Sequence, residues 1–496
     1  MYQDKDLDLK RELPPNESAL TQDLELNTLF NAMASDNKFI LDVSKKVILT
    51  GAGDLDTIRY RQRILKDCLK NPSVIREIYQ IPLESIQNKQ KRWLGIFSRY
   101  PSGILSSAIE IMEMFVGLLK KLRFIADQHA NKFESEGFTT FFEKIKKELD
   151  DDYFSIVQNH LKDLTFRNGV LLSAELGDGN EGTGYILRRP HINLQSWMKQ
   201  VFRKRSPVYS FSIHPRDDHG AKALGDLKDR GINLVANAVA QSADHIDSFF
   251  SMLRTELAFY VGCLNLFEQL TNLGEPVTFP TSVDSHERKH SFHGLYDVCL
   301  ALTMGQKVVG NDANADGKEL VIITGANQGG KSTFLRSIGL AQLMMECGMF
   351  VPAESFHANV SEGLYTHFKR EEDSMMESGK LDEELSRMSS IVDCLRPNSM
   401  VLFNESFAAT NEREGSEIAS QIVHALLDER IKVFFVTHLY PLANNFYQRR
   451  NGDAIFLRAE RLPDGVRTFK LIEGKPLQTS FGEDLYIKIF DNKTAQ

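Results

Sequence analysis

Residues 320–339 read LVIITGANQGGKSTFLRSIG. Five residues of strand-like apolar character lead into a glycine-rich turn, and an amphipathic helical pattern follows. Gly325, Gly330, Lys331 and Ser332 satisfy G-x-x-x-x-G-K-[ST] in the strand–loop–helix context that this motif requires. Glycines let the backbone curl so that successive N–H groups face an anion, and the helix N-terminus adds its partial positive charge. The stretch therefore predicts a cradle for a nucleotide polyphosphate formed by Gly325, Ala326, Asn327, Gln328, Gly329, Gly330, Lys331, Ser332 and Thr333. Lys331 reaches the outer phosphates, and the Ser332 hydroxyl is available to Mg2+.

Two further apolar runs end in polar residues. MVLFNE, residues 400–405, delivers Asn404 and Glu405, and VFFVTHL, residues 433–439, delivers His438. In most ATP-hydrolysing proteins with such a loop, the first acid at the strand end is Asp and holds the metal through water. Asn404 offers a carbonyl oxygen there but no charge. The gross attraction between one carboxylate and a divalent ion 4 Å away is about 8 kcal/mol at a dielectric near 20. Most of it is offset by the carboxylate's own hydration, so Asn404 predicts weaker Mg2+ holding rather than its loss. Glu405 remains to orient or deprotonate water, and His438 stands where it can sense a terminal phosphate.

Working outward, residues after Gly274 alternate strand-length apolar runs with helical segments, the pattern of a parallel or mixed sheet covered by helices. Upstream, Leu24 to about Leu164 is helical in period, as in Leu26, Leu29, Phe30 and Met33. Residues 166–190 contain two short apolar runs around LGDGNEGTG, which predicts a β-hairpin with a long tip. PVYSFSIHP, residues 207–215, alternates like another strand. Between them Arg188, Arg189, Lys199, Arg203, Lys204 and Arg205 occur without one acidic residue, a candidate phosphate-contacting patch or a solvated basic face. Helical spacing returns from Ile232 to Leu273. Residues 1–20, with Pro14 and Pro15, read as a mobile or loosely docked tail.

The 496 residues carry 42% hydrophobic and 25% charged residues and a formal net charge of −8. That composition excludes a disordered chain and a globally basic nucleic-acid binder, so any DNA contact must be local. The five cysteines are scattered without zinc spacing and read as reduced core residues of a cytoplasmic protein. The start lacks the apolar core of a signal peptide, and Glu110 and Glu113 interrupt the apolar stretch Ile104–Leu119, so no membrane span is expected.

The motifs together resemble one family. TGANQGGKSTFLRSIGLAQLMMECGMFVPA, residues 324–353, resembles the phosphate-loop segment of the MutS family of DNA mismatch-repair ATPases. MVLFNESFAATNEREGSEIA resembles its strand and following loop, VTHL its histidine switch, and DTIRYRQRILKDCL, residues 56–69, the start of its core-lever domain. ESGKLDEELSRM, residues 377–388, lies where that family has its signature loop, which implies that Ser378 and Gly379 contact ATP held by a partner subunit. The resemblance covers about residues 22–490 and implies a cytoplasmic homodimer with ATP and Mg2+ between ATPase domains, and levers reaching a β-rich clamp on double-stranded DNA.

The expected architecture is multidomain: a tail at 1–21, an α-helical core/lever region at 22–165, a small β-containing clamp-like insertion at 166–215, lever helices at 216–274, and an α/β ABC-type P-loop ATPase domain at 275–496. The implied function is a DNA-binding ATPase with slow Mg2+-dependent hydrolysis, in DNA repair or recombination. A nucleotide-gated clamp or scaffold with little turnover, and an ATPase gripping protein or RNA, are the alternatives. Full-length members of the family begin with a mismatch-reading domain carrying a Phe-x-Glu wedge and then a connector. This chain opens directly on core-lever material, and before the ATPase its Phe-x-Glu triplet, Phe141 to Glu143, sits in a helical run. The expected match is a short form without those two domains, with mismatch reading left open. SFAATNEREG replaces the family's Gly-, Thr- and Ser-rich stretch after Glu405, and Leu381-Asp382 replaces Ser-Thr after Lys380, which marks Asn404 as a subfamily trait. The chain ends soon after SFGEDL, so no C-terminal nuclease or dimerisation domain is expected.

Overall fold

The computed structural model describes residues 2–93, 100–167, 169–189, 209–370, 379–449, 452–462 and 466–477. They form two compact units, one of residues Met1–Ile75, Glu134–Gly137 and Thr255–Gln496, the other of Arg76–Phe133 and Phe138–Arg254. Two helices, Pro72–Trp93 and Asp218–Asn272, have residues in both.

The second unit is helical apart from one hairpin. Its helix Pro101–His129 buries Leu105, Ile109, Met112, Phe115, Leu119, Leu122 and Ile125, spaced three or four apart as one packed stripe requires. Phe115 meets Phe250 at 5.6 Å between ring centroids. By length and composition this helix could cross a membrane, but 44% of its most apolar window is already buried within the protein, and Glu110 and Glu113 are exposed. Asp150 starts the helix Asp151–Leu164 by accepting a hydrogen bond from the Tyr153 N–H at 2.7 Å. The hairpin pairs β1 (Leu171–Leu176) with β2 (Gly182–Arg188) antiparallel.

One expectation fails in this region. Residues 209–215 form no strand, and Tyr209 and Phe211 are 90% and 82% exposed. Alternation makes a strand only beside a partner edge, and β1 and β2 pair only with each other among the described residues. The long helix Asp218–Asn272 falls within the 216–274 expected for lever helices, and it begins fourteen residues before the apolar spacing at Ile232, where helix formers such as Ala221, Lys222 and Leu224 outweigh Gly220 and Gly225.

In the first unit, helices Leu26–Ala34, Lys38–Thr50 and Leu55–Lys70 are capped or packed locally, as where Asp54 accepts from Thr57 N–H at 2.7 Å. The N-terminal stretch is not a loose tail. Leu7 is buried and its N–H donates to Glu256 Oε1 at 2.6 Å. The Arg61 guanidinium lies 4.4 Å from the Tyr2 ring centroid, and Asn16 Nδ2 donates to the Leu364 carbonyl.

A four-stranded sheet of β3 (Thr281–Val283), β4 (His290–Leu295), β5 (Asn311–Asn314) and β7 (Ser355–Asn359) has the order β3-β7-β4-β5. The larger sheet holds β6 (Leu320–Thr324), β8 (Leu364–Phe368), β9 (Met400–Asn404), β10 (Lys432–Val436), β11 (Ala454–Arg461) and β12 (Arg467–Glu473) in the order β12-β11-β6-β10-β9-β8. All pairs are parallel except β11–β12. Strands covered on both faces need unbroken apolar sequence, and LVIIT and KVFFV are buried at every position. Phe403 and Phe435 stack at 4.9 Å in the core, with Phe407, Val423 and Leu439 around them.

Register decides where the polar ends fall. Ile323 pairs with Val436, Val436 with Asn404, and Asn404 with Phe368. The C-terminal ends of β6, β10, β9 and β8 are therefore level. After β9 the chain bends sharply, and helix Glu412–Asp428 passes so close that a Cβ on Gly415 would lie 2.2 Å from the Phe407 carbonyl oxygen. Gly415→Ala is expected to lower stability by about 1–3 kcal/mol through overpacking against backbone, despite alanine's better helix propensity. A reduced denaturation midpoint by urea titration checks this.

Candidate phosphate-loop site

The loop after β6 is built on backbone that only glycine adopts readily. Gly325 and Gly330 have φ of 111° and 86°, and a Cβ on Gly325 would come within 2.9 Å of the Ala459 nitrogen on β11. Gly330 immediately precedes helix Lys331–Glu346, whose first-turn N–H groups point into the loop. Lys331 is 5% exposed, and its Nζ donates to the carbonyl oxygens of Gly325 at 3.1 Å and Ala326 at 2.9 Å. Desolvation pushes its amine down to about 8, against the opposing pull of Glu405.

The level strand ends bring the other groups to this loop. Ser332 Oγ donates to Asn404 Oδ1 at 2.9 Å. Glu405 sits in the left-handed region at φ 55°, and its N–H donates to the Val436 carbonyl at 2.9 Å. Its Oε1 lies 2.9 Å from His438 Nε2. That hydrogen bond, with the charges of Lys331 and Lys369 helping, holds the Glu405 carboxyl below the usual range despite partial burial. The carboxylate is thus ionised at neutral pH and aimed by a histidine.

Gly325 through Thr333, Asn404, Glu405 and His438 form one constellation at the C-terminal edge of the sheet. Arg188 and Arg189 belong to the other unit. Arg188 Nε donates to Ser173 Oγ at 2.9 Å, and Arg189 forms an exposed ion pair with Asp163 at 2.8 Å. Gly379 immediately precedes helix Lys380–Val392. Lys199, Arg203, Lys204, Arg205 and Ser378 lie outside the described residues.

Sequence reasoning missed a cavity of about 410 Å³ beside the loop, lined by Tyr296, Leu300, Met304, Val308, Phe334 and Phe469, with Gln328 and Gly330 at its phosphate-loop side. It also missed Arg467, two residues before Phe469 on β12, whose Nη1 donates to Gln328 Oε1 at 3.3 Å. Neither residue sits in a motif. They are found only once β12 is known to pair with β11 at the sheet edge.

Among the described residues no cluster of three or more His, Cys, Asp or Glu could hold a metal ion. The neutral oxygens of Ser332 and Asn404, 2.9 Å apart, are hard donors that suit a Mg2+ bound mainly by phosphate and water.

Comparison with known proteins agrees with this geometry. The family model described as the MutS2 N-terminal domain matches residues 53–273, and that of MutS domain V matches residues 321–488. The DNA mismatch repair protein MSH3 of Pyricularia oryzae is 24% identical over 399 residues, covering 75% of this chain and 33% of that protein. The DNA mismatch repair protein MutS of Thermus aquaticus is 36% identical over 124 residues, 25% of this chain and 15% of that protein. MutS protein homolog 4 of Mus musculus is 24% identical over 265 residues, 53% of this chain and 26% of that protein. The chain thus spans a third or less of the length of these curated relatives. With models of this family matching both its helical part and its phosphate-loop part, the chain belongs to the MutS family.

Proposed function

We propose that the chain is a DNA-binding ATPase that hydrolyses ATP slowly and couples nucleotide occupancy to movement of helical levers on double-stranded DNA, in repair or recombination. The observation that carries this reading is the convergence of Lys331, the Ser332–Asn404 pair and the Glu405–His438 pair on one sheet edge. The loop N–H groups and Lys331 bind the phosphates. The apolar cavity beside the loop takes the purine, with Phe469 against its face and Arg467 near the phosphates.

Glu405 accepts a proton from the attacking water. The water oxygen bonds to the γ-phosphorus as the bond to the β–γ bridging oxygen breaks, releasing ADP and phosphate. His438 holds the Glu405 carboxylate in place and senses the terminal phosphate. Ser332 and Asn404 would hold Mg2+, which when bound neutralises charge on the phosphate oxygens.

In this reading residues 1–21 are an N-terminal segment, 22–165 and 216–274 form core and lever, 166–215 a clamp-like element, and 275–496 the ATPase domain. The domain pairs with a second copy, so that Ser378 and Gly379 of one subunit close over nucleotide held by the other. Arg188, Arg189, Lys199, Arg203, Lys204 and Arg205 contact phosphates without reading sequence. The family membership and the relatives, DNA mismatch repair proteins among them, support this assignment.

Three results are expected. Glu405→Gln abolishes phosphate release while leaving ATP binding within about threefold, since the amide keeps the shape but not the basicity; equal phosphate release from both proteins ends the assigned role of Glu405, and the nucleotide-gated scaffold becomes the function if wild type releases no phosphate. Asn404→Asp lowers the Mg2+ concentration for half-maximal turnover several-fold, because a charge is restored beside the ion, read from a Mg2+ titration of ATPase rate. Reversing Arg203, Lys204 and Arg205 together weakens DNA binding uniformly across sequences and flattens the log–log salt slope by about 3, measured by fluorescence anisotropy. Unchanged binding removes these residues from the DNA contact.

A further inference from the structure

His367 in β8 is fully buried and touches three parts of the ATPase unit. Its Nδ1 lies 2.7 Å from Ser406 Oγ, and its Nε2 lies 2.9 Å from the Glu384 carbonyl oxygen on helix Lys380–Val392. The ring stacks on Phe407 at 5.1 Å and 16°, and tilts against Phe403 at 5.8 Å. A carbonyl oxygen only accepts, so Nε2 carries the proton. Burial pushes the ring down to about 4, so it is neutral and Nδ1 is an acceptor for the Ser406 hydroxyl. That hydroxyl also lies against the His367 carbonyl oxygen, so the two acceptors that share its single proton belong to one residue. A second tie, from Arg387 Nη1 to the Phe368 carbonyl at 3.0 Å, fastens the same helix to the end of β8.

Ser406 directly follows Glu405, and the two residues flanking Ser406, Glu405 and Phe407, are both left-handed at φ 55° and 63°. A side chain that holds Ser406 and Phe407 therefore sets the bend from which the Glu405 carboxylate is aimed. We propose that His367 is a positioning residue that couples helix Lys380–Val392 to Glu405, so that a shift of the helix re-aims the carboxylate. The inference rests on Glu405 being the residue that activates water, and it adds how that residue is governed from a helix that does not itself enter the phosphate loop.

The test uses the full chain as wild type, Glu405→Gln, His367→Phe, Ser406→Ala and the double variant. His367→Phe keeps an aromatic ring for the stack and removes both hydrogen bonds. The expected result is a fall in kcat of about tenfold or more for His367→Phe and for Ser406→Ala. KM for ATP and the Kd of a non-hydrolysable ATP analogue stay within about threefold, and the double variant is no worse than the weaker single one. Wild-type kcat in His367→Phe, or losses that simply multiply in the double variant, would overturn the proposal. If wild type itself releases no phosphate, the ATPase reading fails, and amide hydrogen exchange then decides the coupling. His367→Phe must raise exchange in residues 380–392 and 405–411 together; a rise confined to one segment overturns the link.

Discussion

The site depends on the register of four parallel strands. Ile323, Val436, Asn404 and Phe368 are level across the sheet, so the residues that follow each strand emerge at one edge. A slip of one position in β9 would turn Asn404 from its partner Ser332 and send the core side chains Val401 and Phe403 to the opposite face, because side chains alternate with a period of two. The stacked Phe403 and Phe435 resist that slip, since both are fully buried in a fitted core and moving either to the other covered face would break that close packing. Packing in the sheet interior thus fixes the geometry of charged groups at its rim.

What was legible in the sequence follows from what chemistry must be local. An anion cradle needs glycines at fixed spacing within one strand–loop–helix, so residues 325–332 could be read directly. Asn404, Glu405 and His438 stood out because each ends an apolar run long enough to be a buried strand. The hairpin over 171–188 was legible for the same reason, as two apolar runs around a glycine-rich tip. Features that arise from pairing or long-range packing were not. β5 reads NDAN and β11 is only alternately buried, so neither has an unmistakable pattern. Arg467 and Phe469 acquire meaning only from β12 lying antiparallel at the edge. Leu7 stands with Leu9 in a run that is otherwise charged, and its docking depends on Glu256 far along the chain. Residues 209–215 show the converse error, in which a good strand pattern meets no partner among the described residues.

The electrostatics of the site are those of one lysine held among oxygens. Lys331 is nearly buried, and the two carbonyls that hold it offer dipoles rather than a full charge. The anion whose charge opposes the desolvation of this amine is Glu405, which His438 engages. With Asn404 neutral, the constellation has fewer negative charges than one carrying Asp at the strand end. A polyphosphate would bring its charge to a site with a surplus of positive partners, Lys331 and Arg467 beside the loop and Lys369 near Glu405. A neutral amide at the strand end would hold a cation less tightly than a carboxylate while easing the approach of an anion, two consequences of opposite sign from one residue.

Two ways of making a sharp turn meet at this edge. The phosphate loop uses Gly325 and Gly330, where a positive φ carries little penalty. The bend after β9 uses Glu405 and Phe407, each at a positive φ that costs a non-glycine residue about 1–2 kcal/mol. Such a bend persists only if its surroundings over-determine it. Phe407 is fully buried in the core, which offsets about 1.5–3 kcal/mol, and His367 and Gly415 close on it from two sides. The phosphate loop thus turns mainly on glycine, with Gln328 at φ 56° between the two, whereas the carboxylate is carried on a turn held by packing. A turn of the second kind answers to the elements packed against it, which is why the helix Lys380–Val392 and the carboxylate at the sheet edge belong to one mechanical unit.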